Sequence, residues 1–247
     1  MVEQERRRAA RCVAVSAAAL LVAVLLASWT GLVHANNPSR DRFPVWGVDV
    51  SRYQGSIDWP VLAGQGVEFA FIKATEGSSH TDPAFATNLA GASAAGLRTG
   101  AYHFFSFESP GDSQADNVIA TVPVQPGQLP VAVDVEFYGD FWTSPPPVAD
   151  ARRELAVLLG RLDAHYPAGA IVYTTGEVYN RYLAGAFPGV EVWIRDVWRE
   201  PALADGRAWT FWQFSDRYRL DGYRGEEQFI DLNVYAGSRT DWEAYRR

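Results

Sequence analysis

The sequence predicts an α/β fold, a compact (β/α) barrel whose second half has missing or reduced helices. Two observations support this class. About eight short apolar segments, rich in Val, Ile and Phe, alternate with helical segments over roughly 200 residues, which is typical of a parallel sheet. Charged residues recur near the ends of these apolar segments, and barrels of this kind carry their functional groups at the carboxyl ends of the strands.

The chain divides into a leader, a linker and one folded domain. Residues 1–35 begin with several arginines, continue with a long apolar run and end on small residues, as secretory signal peptides do. The run is about long enough to span a bilayer, so an uncleaved N-terminal membrane anchor is the alternative. Either reading predicts export to the cell envelope, the periplasm or the medium. Residues 36–44 form a polar linker, and residues 45–247 form the domain.

Composition excludes several classes of function. Without the four arginines and two glutamates of residues 1–35, the 22 basic and 29 acidic residues fall to 18 and 27, a net charge of −9. This balance argues against nucleic-acid binding. A single Cys excludes a disulfide framework, and the four His residues form no pair at zinc-ligand spacing. With no phosphate-binding glycine loop either, the sequence predicts no cofactor and no metal, and a monomer is the default expectation.

The first half of the domain alternates regularly between strands and helices. Strands are predicted at residues 45–50, 67–75 and 97–105, where apolar and β-branched residues dominate. Helices are predicted from the N-cap Asp58 to about residue 63, from the N-cap Asp82 to about residue 95, and at residues 112–121.

The second half is less regular. A buried strand is predicted at residues 129–137, followed by an aromatic loop and by the longest amphipathic helix, at about 149–165. The remaining strands are predicted at 170–173, 190–194, 209–214 and 229–234, with a short helix at 177–183, a polar loop at 215–228 and a weak turn at 241–247.

The strand at residues 129–137 carries the most informative pair of residues. Asp134 and Glu136 interrupt an apolar run, and alternate residues of a strand share a face, so both carboxyl groups point the same way. Two close carboxyl groups repel, which raises at least one pKa. A neutral acid beside an ionised one is the pairing that hydrolyses glycosidic bonds. The alternative is a pair of salt bridges at the end of a sheet.

Two further acids extend this pattern. Asp49 and Asp231 each lie within an apolar strand, near the start and the end of the domain. If the barrel closes, the first and last strands are neighbours and these acids face the same mouth. The resulting acidic pocket suits either a hard cation or carboxylate acid–base chemistry.

Aromatic residues favour a sugar as the ligand of this pocket. Rings stack on the apolar faces of sugars, while carboxylates and amides bind hydroxyl groups. His103, beside Tyr102, fits a hydrogen-bonded structural histidine equally well. The candidate substrate-binding residues, at or after predicted strand ends, are Tyr53, Lys73, Glu76, Tyr102, His103, Tyr138, Tyr173, Trp193, Trp212 and Gln213.

Several short motifs resemble the glycoside hydrolase family 25 lysozymes, or muramidases. They occur in the order of that family over about residues 45–237 and include Gly47-Val-Asp-Val-Ser-Arg-Tyr-Gln-Gly55, Phe71-Ile-Lys-Ala-Thr-Glu-Gly77, Gly100-Ala-Tyr-His-Phe104, Val133-Asp-Val-Glu136 and Ile230-Asp-Leu-Asn233. The resemblance implies an irregular, flattened, TIM-like barrel that cleaves the β-1,4 bond between N-acetylmuramic acid and N-acetylglucosamine in peptidoglycan.

The resemblance also implies roles for the four acids. Glu136 matches the general acid, Asp134 its partner carboxylate, and Asp49 and Asp231 the two further acids of the pocket. A covalent route and a route assisted by the acetamido group of the substrate both stay open. Arg195 departs from the family pattern, which leaves specificity open at that position. An inactive glycan-binding protein and a chitin-directed hydrolase are the alternative functions.

Overall fold

The computed structural model describes residues 36–245 continuously, together with residues 4, 6, 15–17, 19, 20, 22, 23 and 27. The predicted signal peptide or membrane anchor at residues 1–35 therefore lies largely outside the described residues. Among the residues that are described, no helix is long and apolar enough to cross a membrane.

Eight strands close into a barrel, which confirms the predicted fold class. Hydrogen bonding joins them in the order β1-β8-β7-β6-β5-β4-β3-β2, and β1 also pairs with β2. The strands are β1 (Trp46–Val50), β2 (Phe69–Glu76), β3 (Arg98–Phe104), β4 (Val131–Val135), β5 (Ala170–Thr175), β6 (Glu191–Arg195), β7 (Phe211–Tyr218) and β8 (Ile230–Tyr235).

One strand runs against the others, so the expectation of a parallel sheet needs a correction. β8 is antiparallel to both of its neighbours, β1 and β7, while the other pairs in the barrel are parallel. The expectation that charged residues lie near the ends of the strands is therefore wrong for Asp231, which is the second residue of β8. The reversed direction nevertheless brings the start of β8 to the end of the barrel where the other strands finish.

Helices cover the first half of the barrel and thin out in the second, as predicted. They are α1 (Trp59–Ala63), α2 (Phe85–Ala94), α3 (Gly111–Thr121), α4 (Val148–His165), α5 (Gly176–Val178, continued by a π turn at Tyr179–Leu183) and α6 (Arg239–Ala244). Within residues 36–245, no helix separates β6 from β7 or β7 from β8.

Three local predictions change. Asp82 does not cap α2, which begins three residues later; its carboxylate instead accepts hydrogen bonds from the backbone N–H groups of Ala84 and Arg52, at 2.8 and 3.0 Å. The predicted polar loop at 215–228 is shorter, because β7 extends to Tyr218 and Tyr223–Arg224 pairs with the two-residue strand Ser56–Ile57. The predicted terminal turn is the helix α6.

The barrel has an inner core and an outer core. The inner core fills the barrel with rings from Phe69, Phe71, Trp193 and Phe211, and α6 adds Trp242, whose ring centroid is 5.3 Å from that of Phe69. Phe69 and Phe211 begin their strands, so α6 covers the amino ends of the parallel strands. The outer core lies between strands and helices. The opposite end of the barrel is left for the pocket.

Candidate active site

The carboxyl ends of the parallel strands surround a pocket of about 220 Å³. It contains all four acids that the sequence singled out, together with six of the ten candidate substrate-binding residues. Its lining residues are Asp49, Ser51, Tyr53, Lys73, Tyr102, Phe104, Asp134, Glu136, Tyr173, Trp193, Gln213 and Asp231. The pocket thus combines carboxyl groups with aromatic walls.

Asp134 and Glu136 reach this pocket from the end of β4. The alternation of the strand places both on its inner face, while Val133 and Val135 belong to the outer core. Asp134 is 7% exposed, and its Oδ1 has no hydrogen-bond partner among the described residues. A buried polar atom without a partner is costly unless a ligand or water satisfies it.

The two carboxyl groups have raised pKa values. Burial raises the pKa of Glu136 from 4.5 to about 7; the Arg195 guanidinium opposes the shift, and the Asp49 carboxylate adds to it. Burial and the neighbouring Glu136 raise the pKa of Asp134 well above its usual value, and the Lys73 ammonium partly opposes this. Because the pair repels, it holds a proton more tightly than an isolated carboxylate does.

Asp49 and Asp231 are paired across β1 and β8, whose register sets them directly opposite each other. Burial raises the pKa of both groups. The hydrogen bond between their carboxyl groups raises the pKa of Asp231 and lowers that of Asp49. Of the two acids, Asp231 is therefore the more readily protonated.

Asp49 is fixed by two amides. Its Oδ2 accepts hydrogen bonds from Nδ2 of Asn233 at 2.7 Å and from Nε2 of Gln213 at 2.9 Å. Each amide is held by an aromatic side chain of the pocket. The Trp193 indole donates to Oδ1 of Asn233 at 2.7 Å, and the Tyr173 hydroxyl donates to Oε1 of Gln213 at 2.9 Å. The floor of the pocket is therefore a preorganised hydrogen-bond network.

The amino-acid sequence that forms this barrel and its pocket matches the sequence model of a known protein family. The sequence model described as glycosyl hydrolases family 25 matches residues 48–223, which include Asp49, Asp134 and Glu136. The chain belongs to glycosyl hydrolases family 25. It is therefore a glycosidase, and the resemblance noted from the short motifs is confirmed.

Relatives of known sequence support this membership of family 25. The chain is 34% identical over 208 residues to the uncharacterized protein YegX of Escherichia coli K12, covering 82% of this chain and 74% of that protein. It is 32% identical over 216 residues to lysozyme M1 of Streptomyces globisporus, covering 80% of this chain and 70% of the lysozyme.

Solved structures of the family share the barrel. A family 25 glycosyl hydrolase from Bacillus anthracis superposes with a TM-score of 0.82 at 45% identity, covering 87% of this chain and 98% of that one. A bacterial lysozyme from Streptomyces coelicolor superposes with a TM-score of 0.73 at 30% identity, covering 82% and 96% of the two chains.

Two basic residues stand beside the acids of this family 25 pocket. Nζ of Lys73 donates to Oε2 of Glu76 at 2.8 Å, and the Lys73 side chain is only 14% exposed. Arg195 ends β6 and forms an ion pair with Asp216 on β7. Each cation thus has a carboxylate partner at the rim, while its charge also acts on the central acids.

His103 lies outside the pocket, so its prediction as a substrate-binding residue is corrected. Its ring is fully buried between β3 and α3, where Nδ1 contacts Thr75 Oγ1 at 2.8 Å and Nε2 contacts Gln114 Oε1 at 3.0 Å. Burial lowers the pKa of His103 to about 4. The strand alternation explains the placement, because Tyr102 and Phe104 take the inward positions.

Trp212 is likewise a packing residue instead of a substrate-binding one. It is 1% exposed in the outer core, and its indole donates to the backbone carbonyl of Asp196 at 2.8 Å. The next residue, Gln213, points inward to Asp49. The sequence pattern identified both Trp212 and Gln213 as candidates. Without the register of β7, it did not show which of the two side chains faces the pocket.

Two other predicted residues lie next to the pocket. Glu76 is the partner of Lys73 and its side chain is 45% exposed. The Tyr138 ring lies 5.4 Å from that of Phe104, a pocket wall, and its hydroxyl accepts a hydrogen bond from the Phe107 backbone N–H at 3.0 Å.

The site also contains Ser51 and Asn233, which the sequence pattern did not single out. Ser51 lines the pocket and caps the 3-10 turn Arg52–Gln54. Asn233 lies two residues after Asp231 and so shares its face of β8, a spacing that could have identified it. Among the described residues, no group of three or more His, Cys, Asp or Glu side chains is arranged to hold a metal ion.

Proposed function

We propose that this family 25 glycosidase hydrolyses the β-1,4 bond between N-acetylmuramic acid and N-acetylglucosamine in peptidoglycan. The observation that carries the proposal is the half-buried Glu136, whose pKa of about 7 keeps it protonated below neutral pH, beside the second carboxyl group of Asp134. The lysozymes among the similar proteins support peptidoglycan as the substrate.

In the proposed reaction Glu136 is the general acid. Its proton passes to the glycosidic oxygen as the bond from that oxygen to C1 breaks, and the leaving sugar departs as an alcohol. The ionised Glu136 then takes a proton from water as the water oxygen attacks C1. The net result is one bond hydrolysed, one new reducing end and Glu136 restored.

Asp134 is proposed to stabilise the positive charge that develops at C1. The Glu136 carboxylate favours protonation of Asp134, so the pair is proposed to share one proton, which lies on Glu136 in the reactive state. Lys73 favours the ionised form of Asp134. Asp134 acts either as the nucleophile or by orienting the acetamido group of the substrate, and both routes need its negative charge.

Asp49 and its amide partners are proposed to position the sugar at the cleavage point. Asp49 is held rigidly by Asn233 and Gln213, and Asp231 is the more readily protonated of the two acids. Tyr102, Tyr173 and Trp193 provide the apolar faces against which a sugar ring packs.

The proposal includes export of a monomer with no cofactor. Peptidoglycan lies outside the cytoplasmic membrane, and residues 1–35 have the composition of a signal peptide or an anchor. N-terminal sequencing of the protein from the envelope fraction tests this point. A start near residue 36 indicates cleavage, whereas an intact N-terminus in the membrane fraction indicates an anchor.

The test of the proposed function is digestion of purified peptidoglycan, followed by borohydride reduction and mass spectrometry. Reduced muramic acid ends are expected, and they should disappear in the Glu136→Gln variant. Reduced glucosamine ends would contradict the proposed bond. Intact glycan that pellets with the folded protein would instead support an inactive binding protein. Preferential digestion of chitin would indicate that chitin, and not peptidoglycan, is the substrate.

A further inference from the structure

A second cleft, of about 270 Å³, continues the pocket on the side of β7 and β8. Both spaces are lined by the same five residues, which are Asp49, Ser51, Tyr53, Tyr102 and Asp231. Beyond these, the second cleft is lined by Val50, Gln54, Asp216, Glu227 and Phe229. A ligand that fills the pocket and is longer than it can therefore extend directly into the second cleft.

The outer wall of the second cleft is fixed to the barrel by backbone contacts. The short strand Tyr223–Arg224 pairs with Ser56–Ile57, which lies 166 to 168 positions earlier in register. The backbone N–H of Glu227 donates to the carbonyl oxygen of Tyr53 at 3.1 Å. A Cβ atom at Gly225 would lie 2.2 Å from that oxygen, so only glycine permits the contact. The second cleft is thus a preformed part of the structure.

Aromatic rings of the second cleft are held by arginine side chains. Tyr53 is 40% exposed, and its hydroxyl accepts a hydrogen bond from Nη2 of Arg52 at 2.9 Å. The centroid of the Phe229 ring lies 4.9 Å from the guanidinium carbon of Arg219. Rings that are already held in place offer an apolar surface to a sugar at a small entropic cost.

The charged groups that line the second cleft are all acidic. Four carboxyl groups line it, and none of the described residues in its lining is Lys, Arg or His. One of the four, Asp216, forms an ion pair with Arg195, which stands behind it on β6. Carboxylates accept hydrogen bonds from sugar hydroxyl and amide groups but repel a carboxylate on the ligand. The cleft therefore favours a sugar without an acidic substituent.

We infer that the second cleft binds the N-acetylglucosamine unit next to the muramic acid whose bond is cleaved. This inference rests on the proposed function. Within a strand of alternating sugars, both neighbours of a muramic acid are N-acetylglucosamine, so the occupant is the same for either direction of the strand. Phe229 supplies an apolar contact, and Glu227 accepts hydrogen bonds from hydroxyl groups. Both residues lie beyond residues 48–223, which match the family model.

The first test is binding of a tetrasaccharide of alternating N-acetylglucosamine and N-acetylmuramic acid, measured by calorimetry. The full chain carrying Glu136→Gln serves as the parent, because this change prevents turnover. Adding Phe229→Ala should weaken binding about five- to tenfold, the loss expected for one aromatic contact. N-acetylmuramic acid alone, which fills only the pocket, should bind both proteins equally in an NMR titration.

The matched control is Phe187→Ala in the same parent. Phe187 is also partly exposed, but it packs on the outer core and lines neither the pocket nor the second cleft. Its replacement should leave tetrasaccharide binding unchanged. Equal losses from the two Phe variants, unchanged binding by Phe229→Ala, or an equal loss of both ligands would overturn the subsite alone. Failure of the parent to bind the tetrasaccharide would overturn the proposed function as well.

A third variant tests which sugar occupies the second cleft. Glu227→Gln removes a negative charge and keeps a hydrogen-bond acceptor. If N-acetylglucosamine is bound there, tetrasaccharide binding should stay the same or weaken. Stronger binding would show that the carboxylate of a muramic acid lies near Glu227, and it would overturn the assignment of the sugar.

Discussion

Asp49 and Asp231 lie directly opposite each other where the first and last strands close the barrel. Their shared hydrogen bond raises the pKa of Asp231 and lowers that of Asp49, and the Asn233 and Gln213 amides donate to Asp49. The closure of the fold and the organisation of the pocket thus depend on the same few residues. A change in this network should affect stability and activity together.

Replacing Asn233 tests that link. Asn233→Leu removes one donor from the buried Asp49 and leaves the Trp193 indole N–H without its acceptor. The unfolding free energy should fall by about 1–3 kcal/mol, and kcat should fall as well. Urea unfolding and turnover measurements check this. Asn117→Leu, which alters an amide outside the pocket, should retain wild-type kcat.

His103 should affect stability alone. His103→Ala removes buried hydrogen bonds to Thr75 and Gln114 and should lower the unfolding free energy by about 2–3 kcal/mol at pH 7. Its folded pKa of about 4 lies below the ordinary 6.5, so the wild-type protein loses stability as pH falls between those values. The difference from the variant should therefore shrink toward pH 4. A clear fall in the kcat of the folded His103→Ala variant, measured below its unfolding temperature, would contradict this purely structural role.

Arg195 should set the alkaline limit of activity. Its charge lowers the pKa of Glu136, so Arg195→Met should raise that pKa and move the fall in kcat/KM to higher pH. Arg199→Met is the control, because the Arg199 side chain is 85% exposed. Profiles of kcat/KM from pH 5 to 9 make the comparison. Coincident profiles for the Arg195 variant and the wild type would exclude the effect.

Glu136 should destabilise the fold at high pH. Its folded pKa of about 7 exceeds the ordinary 4.5, so the folded state binds more protons and loses stability as pH rises through this interval. Above pH 7 the cost is about 1–3 kcal/mol after allowance for partial exposure. Glu136→Gln should therefore be more stable than the wild type at pH 8 but not at pH 4. Urea midpoints at the two pH values test this.

The sequence predicted the positions of strands and helices more accurately than it predicted which side chains of each strand face the inside of the barrel. Alternation on β4 correctly placed Asp134 and Glu136 together, because an apolar strand interrupted by two acids has only one plausible inner face. The same reasoning failed for Trp212 and Gln213, where both faces of β7 are buried and aromatic. Periodicity cannot separate an inner core from an outer core when both are apolar.

The sequence pattern also did not predict that β8 runs antiparallel to its neighbours. A short connection without a helix indicates an antiparallel step, but the loop after β7 contains further strand pairing that obscures its length. The predicted pairing of the first and last strands places Asp231 at the pocket, but from the start of an antiparallel strand instead of the end of a parallel one. The spacing of Asn233 from Asp231 indicates the face of β8 on which it lies, but not its hydrogen bond to Asp49, which is 184 residues away in the chain.

The most direct test of the central claim is the rate at which the Glu136→Gln variant releases reducing ends from peptidoglycan at pH 6. A general acid contributes about 10²- to 10⁴-fold, so the rate should fall by that factor while the fold is retained by circular dichroism. Glu177→Gln, an exposed control, should keep the wild-type rate. A folded Glu136→Gln protein with the wild-type rate would contradict the account.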